Sequence, residues 1–406
     1  MNRKAFWVLV GSMLISMLGM GIVSPFLPIY ANTMGASSLE IGLVQAGFNI
    51  TGIGTLLFIG RLSDRFGRKS FLSAGLGILA VSAIGLMYSK DPIHLILWRF
   101  VQGLGASAHM PIAQAYLGDI TPKGNEGRWM GYFNAVLFSG MGLGPLVGGV
   151  VSDAYSIRTT FLLMAILNIL ALISTLAFLK EMPRKVATRG NTAFLAPLKS
   201  RMIRGACSYC MTTGVGVATL MAFMPLFADV RIGLSASLIG VLLAARTPVS
   251  LLQSWTGRLA DKCNRRTMVL WGGAVATVAV ALLPMTTAFW TLVAAYLLVA
   301  IGQSFGMPAA NAFVVQEGRI FGMGASTGIF MLAMNVGNGI GPVVLGSVAD
   351  WLGLDSAFQA AAVCMGIGLV VFAFMIRSDD VTRRRGDAER EKQKELVSAA
   401  QTAAGV

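Results

Sequence analysis

Apolar runs about twenty residues long, parted by short polar stretches, recur along this 406-residue chain. A helix of that length crosses the hydrocarbon core of a bilayer. Twelve such segments are expected, at about 5–30, 38–59, 70–88, 93–118, 128–150, 159–179, 202–228, 236–256, 267–288, 290–314, 323–346 and 355–376. The first follows Arg3 and Lys4, as the core of a signal peptide would. It is too long for one, holds Pro25 and Pro28, and is followed by no convincing small-residue cleavage site, so a retained helix is expected. A basic, loop-like stretch at 180–201 divides the segments six and six. Residues 1–179 and 202–376 are read as two halves, and 377–406 as a charged cytoplasmic tail with no assigned function.

Composition points the same way: 55% of residues are hydrophobic and 12% charged, about half the charge of a soluble domain. The 48 glycines suit helices packed backbone to backbone. The net charge of +14 would suggest nucleic acid in a soluble protein. Here the cations sit in clusters between apolar runs, without aromatic interleaving, so nucleic acid is excluded. With the N-terminus inside, 27 of the 32 Lys and Arg fall in inner segments. Three (Lys90, Arg158, Arg231) fall in outer ones, and Arg99 and Arg246 within spans. Both termini are therefore expected in the cytoplasm, in a bacterial inner membrane. The four cysteines form no disulfide framework; Cys207 and Cys210, in an apolar helix, are read as packing residues.

A repeat sets the architecture. Pro28 and Pro225 are 197 residues apart, and the same offset links Gly60-Arg61-Leu62-x-Asp64 with Gly257-Arg258-Leu259-x-Asp261. It also links Met110-Pro111 with Met307-Pro308, Gly144-Pro145 with Gly341-Pro342, and Asp153 with Asp350. The expected fold is an all-α integral membrane protein of two six-helix bundles, related by a pseudo-twofold axis along the membrane normal. A site between the halves near the midplane would then be reached from each side in turn.

Four motifs carry chemistry. In the loop expected between spans 2 and 3, Gly60, Asp64, Arg65, Gly67 and Arg68 belong to a glycine-bounded turn holding one carboxylate among cations. Asp64 can pair locally and can also face the N-terminus of span 11, where the helix dipole favours an anion. Gly257 and Asp261 repeat the arrangement toward span 5. In span 4, Arg99 and Gln102 share a helical face with Ala106 and His109, and a cation at that depth is expected to face a wet interior or a partner. In span 5, Gly140, Gly144 and Gly148 make a flat face for close helix contact, and Pro145 with Gly149 completes the run. In span 1, Leu18-Gly19 precedes Pro25-x-x-Pro28.

These motifs closely resemble those of the major facilitator superfamily, in particular its twelve-span drug:proton antiporters, over essentially the whole chain up to the tail. The resemblance implies the major facilitator fold. It implies that the Asp64 turn latches the halves in the outward-facing state, that Arg99 is tied to proton coupling, and that the span 5 glycine motif marks an exporter that exchanges substrate for protons.

The chain departs from that branch in having no Asp or Glu deep within any predicted span; Glu40, Asp119, Asp153, Glu317 and Asp350 lie at predicted ends. His109, the one histidine deep in a span, is the candidate proton carrier, with Asp119 second. Gln102, Arg246, Gln253, Gln303, Asn311 and Asn335 are the candidate cavity residues. Arg246 with Arg99 and His109 suggests a cationic cavity, and hence an anionic, zwitterionic or amphiphilic cargo. No catalytic or metal site and no cofactor is expected: there is no G-x-S-x-G, H-E-x-x-H or G-x-x-x-x-G-K-[ST]. The leading expectation is a monomeric, proton-coupled exporter of amphiphilic small molecules. The alternatives are an uncoupled or otherwise coupled carrier of an anionic metabolite or lysolipid-like amphiphile and, more remotely, a transport-dead sensor.

Overall fold

The computed structural model describes residues 3–121, 126–181 and 195–376; the tail 377–406 and most of the 180–201 connection lie outside the described residues. Within them the chain is helical, with no strand. Span 1 is α1 (Arg3–Val23) and α2 (Leu27–Thr33), joined at the turn before Pro28. Spans 2 to 7 are α3 (Ser38–Phe66), α4 (Arg68–Met87), α5 (Pro92–Ile120), α6 (Glu126–Ala154), α7 (Ile157–Phe178) and α8 (Arg201–Val230). Span 8 divides into α9 (Ala236–Ala244) and α10 (Arg246–Lys262). Then come α11 (Arg265–Leu282), α12 (Phe289–Phe321), α13 (Met323–Leu352) and α14 (Leu354–Met375).

Nine spans among the described residues are long and apolar enough to cross a membrane. The other three, α3, α5 and α9–α10, carry the polar motifs. Outward faces are apolar: Leu162, Ile166, Ile169 and Ile173 are exposed at helical spacing along α7, a surface only lipid would cover.

The sequence explains the ends. Ser37 caps α3 in a capping box with Glu40, Asp91 caps α5 ahead of Pro92, and Ser235 caps α9, each accepting a backbone N–H otherwise without a partner. The expected loop at Gly60–Gly67 is corrected: α3 stays helical to Phe66, and the turn shrinks to Gly67, whose φ of +111° suits glycine. Span 10 also runs on, to Phe321.

The repeat persists into individual bonds. Lys69 Nζ donates to Leu176 O, and Arg266 Nη2 donates to Ala373 O. Arg68 pairs with Asp119 at 2.8 Å, and Arg265 donates to Gln316 at 3.0 Å. Every residue of the second set lies 197 positions after its counterpart.

Candidate functional site

Two seams join the halves, α3 against α13 and α6 against α9. Both are tightest at the end of the bundle opposite the N-terminus, here called the far end. A Cβ added at Gly149 would stand 2.5 Å from Ala236 O, and one at Gly346 would stand 2.5 Å from Ser38 O. Gly240 and Gly42 likewise press on Pro145 O and Pro342 O.

Each seam ends in a carboxylate at the N-terminus of a helix in the other half. Asp350 accepts from Ser38 N at 2.6 Å and Leu39 N at 2.9 Å. Asp153 accepts from Ala236 N at 3.0 Å and Ser237 N at 2.8 Å. Unpaired N–H groups and the positive end of the helix dipole meet a full negative charge at both places. Toward the opposite, near end the helix glycines make no such contact among the described residues: a Cβ at Gly52, Gly54, Gly131, Gly257 or Gly324 meets nothing within 4 Å.

The span 5 glycine motif serves two surfaces. Gly140, Gly144 and Gly148 press on Leu14, Gly21 and Ile22 of α1, within their own half. Gly149, and Gly142 which the motif reading left out, face Ala236 and Thr247 of the other half. Pro145 adds its carbonyl to the same seam. Gly149→Leu is therefore expected to hold the far end open. Distances between spin labels across that end should lengthen, with the protein still monodisperse.

Arg99 is 2% exposed, and each of its three side-chain nitrogens donates a hydrogen bond. Its Nε donates to Val44 O at 3.1 Å, its Nη1 to Gln102 Oε1 at 2.6 Å and its Nη2 to Gln45 Oε1 at 3.2 Å. The guanidinium also lies 4.8 Å from the Phe48 ring centroid. An Arg at the centre of a membrane helix costs about 2.5–3.5 kcal/mol on insertion scales; three acceptors and a π face offset that cost with no carboxylate. Gln102, expected in the cavity, is 1% exposed and committed to this cluster.

His109 is 1% exposed where α5 packs on Gly75 of α4. Neither ring nitrogen has a hydrogen-bond partner among the described residues. Glu317 lies near the end of α12, and it is fully buried there: its Oε2 accepts from Ser200 Oγ at the cap of α8. Its burial was not foreseen, because the polar run Gln316–Arg319 reads as a solvated helix end.

Arg246 lies ten residues along from the far-end start of α9, about 15 Å deep. It is partly buried and donates through Nη2 to Gln303 Oε1. Gln253 and Asn311 are exposed and Asn335 is half-buried. The side chains of Gly60, Asp64, Arg65 and Asp261 fall outside the described residues. Around them, Glu181 Oε1 accepts from Lys69 N at 3.1 Å beside Gly67.

A polar midplane between two repeated bundles, seamed at one end, defines a membrane transporter fold. The profile of the Major Facilitator Superfamily matches residues 9–247 and 211–404, and the chain belongs to that superfamily. It is 29% identical over 359 residues to an uncharacterised MFS-type transporter of Methanocaldococcus jannaschii, covering 86% of this chain and 92% of that one. It is 26% identical over 378 residues to multidrug resistance protein 1 of Bacillus subtilis, covering 90% and 94%. A bacterial homologue of the human lysosomal transporter Spinster, in an inward-facing and occupied conformation, superposes with a TM-score of 0.76 at 15% identity, covering 92% of this chain and 96% of that one.

Proposed function

We propose that this protein exports amphiphilic small molecules from the cytoplasm in exchange for protons, opening one end of the bundle at a time. The observation that carries the reading is the asymmetry of the seams: shut at the far end by Asp153, Asp350 and opposed glycines, with no such glycine contacts at the near end among the described residues. A bundle closed at one end and open at the other is one half of an alternating-access cycle. The positive-inside bias puts the near end in the cytoplasm of a bacterial inner membrane, making this the state that loads cargo from inside. The multidrug resistance relative and the Gly140–Gly149 motif support outward transport. Each half supplies the other's seam partner, so one chain suffices. In the opposite state the Asp64 and Asp261 turns would latch the near end.

Proton coupling is assigned to His109 and Glu317, the histidine and the carboxylate buried in the described spans. An imidazole without a partner in this state has hydrogen bonds to gain in another. Substitution of the responsible group, His109→Gln or Glu317→Gln, is expected to flatten the pH profile of transport while leaving cargo binding intact. An unchanged profile in both would exclude this assignment.

The reading as a whole is tested in liposomes with a trapped pH dye under a proton gradient. Proton release on adding a lipophilic cargo supports exchange. Labelled cargo crossing without proton movement would instead favour an uncoupled carrier of an anionic metabolite or lysolipid-like amphiphile, the reading that Arg246 favours.

A further inference from the structure

We propose that Arg246 and the Gln303 carboxamide form the docking point for an anionic group of the cargo: the carboxylate, sulfonate or phosphate of an amphiphile held between the halves. The proposal rests on reading the chain as a small-molecule transporter and names the class of molecule it takes.

The inventory of donors and acceptors points to this ligand. Gln303 is 3% exposed and gives its one side-chain acceptor, Oε1, to Arg246. Its Nε2 hydrogens then find no acceptor among the described residues. A guanidinium carries five N–H donors and no acceptor. The pair therefore has donors in surplus at about midplane depth. Arg99 faces the same problem, and the protein meets it with three carbonyl acceptors. Arg246 has one acceptor among the described residues and stays partly open.

Position places this surplus on the path between the halves. Thr247, the next residue, packs on Gly142 of α6 across the seam. The helix break at Ala245, three residues before Pro248, turns the chain at this depth. Glu317, the buried carboxylate on α12, lies fourteen residues beyond Gln303 and bonds to Ser200, about 21 Å away along the helix. Asp153 and Asp229 belong to the far end. No described carboxylate is thus placed to neutralise Arg246.

The repeat supplies an independent argument. Positions the fold itself requires recur at the 197 offset, as Pro111 and Pro308 do. Gln303 corresponds to Ala106, and Arg246 falls opposite Asn49 at the landmark offset or Phe48 at the 198 offset of the seam helices. The first half also joins these helices by a cation and an amide, Arg99 with Gln45, but at other positions and with further acceptors, so the repeat does not require the pair where it stands. A planar guanidinium beside an amide donor suits an oxyanion, which can accept from both at once.

Naphthalene-2-sulfonate and trimethyl(2-naphthyl)ammonium, alike in ring and opposite in charge, separate the possibilities by equilibrium dialysis against purified full-length protein in nanodiscs. The wild type is expected to bind the sulfonate. Arg246→Met and Gln303→Glu should each weaken that binding at least about tenfold, and Arg246→Lys should retain part of it. Gln303→Leu, which removes the amide donors and keeps the net charge, should weaken it by a smaller factor and serves if Arg246→Met does not fold. Sulfonate binding unchanged in a folded Arg246→Met or Gln303→Leu variant, or wild-type binding of the ammonium alone, would overturn the proposal. Dialysis reads binding alone. Exchange can therefore fail in liposomes while the site stands, and the site can fail while exchange stands.

Discussion

Replacing both far-end carboxylates, Asp153→Asn with Asp350→Asn, is expected to open the far end and slow transport while leaving the fold intact. The four N–H bonds that close the seams all end on these two side chains. Asparagine keeps the shape and one acceptor but loses the charge that the helix dipole and backbone donors favour. At about 1 kcal/mol per site, the double variant shifts the closed-to-open ratio by about 2 kcal/mol, roughly thirtyfold. Ala46, fully buried on α3 one turn below Gly42, reports the opening. In a background without the four native cysteines, Ala46→Cys should react with a water-soluble maleimide added from the far side much faster in the double variant than alone. Equal rates would mean the carboxylates are ornaments of a seam held by glycine packing.

Arg99→Met should have the larger effect on stability. The substitution removes the donor for Val44 O, Gln45 Oε1 and Gln102 Oε1 together, inside a cluster that excludes water. Leaving buried neutral acceptors without their donor costs about 1–3 kcal/mol each. The variant is expected to melt many degrees lower in detergent or fail to accumulate as monodisperse protein. Arg99→Lys should recover little, because an ammonium cannot reach three acceptors spread over two helices. A normally folded Arg99→Met variant whose only fault is lost proton coupling would return this residue to the role implied by the family resemblance.

The twelve spans were legible because lipid imposes one rule along the whole chain, and the repeat was legible because duplicated landmarks such as Gly144-Pro145 and Gly341-Pro342 keep one spacing. What escaped the sequence was contact across the halves. Asp153 and Asp350 stood out as a repeated pair, yet their partners are backbone N–H groups, which carry no residue identity. The partner helices are offset by 198 rather than 197: Ser38 corresponds to Ala236 and Gly42 to Gly240, so the two seams do not share the register of the landmarks. Gly142 fell outside the motif because it faces a different helix from its neighbours. Arg99 read as a cavity cation because its acceptors, one backbone carbonyl and two neutral amides, are silent in a search for carboxylates. Glu317 was read at a span end, where it lies, but its burial against Ser200 depends on a contact with the cap of another helix that sequence does not show.

The central claim, that the two ends open alternately about the midplane, is tested most directly by paired spin-label distances in nanodiscs. Thr33 with Arg231 spans the far end, and Phe66 with Cys263 spans the near end; all four are exposed. The wild type should give a short, narrow far-end distribution and a long near-end one. Asp153→Asn with Asp350→Asn should lengthen the first and shorten the second together. Ends that move independently, or a far end that opens while the near end keeps its distance, would contradict alternating access.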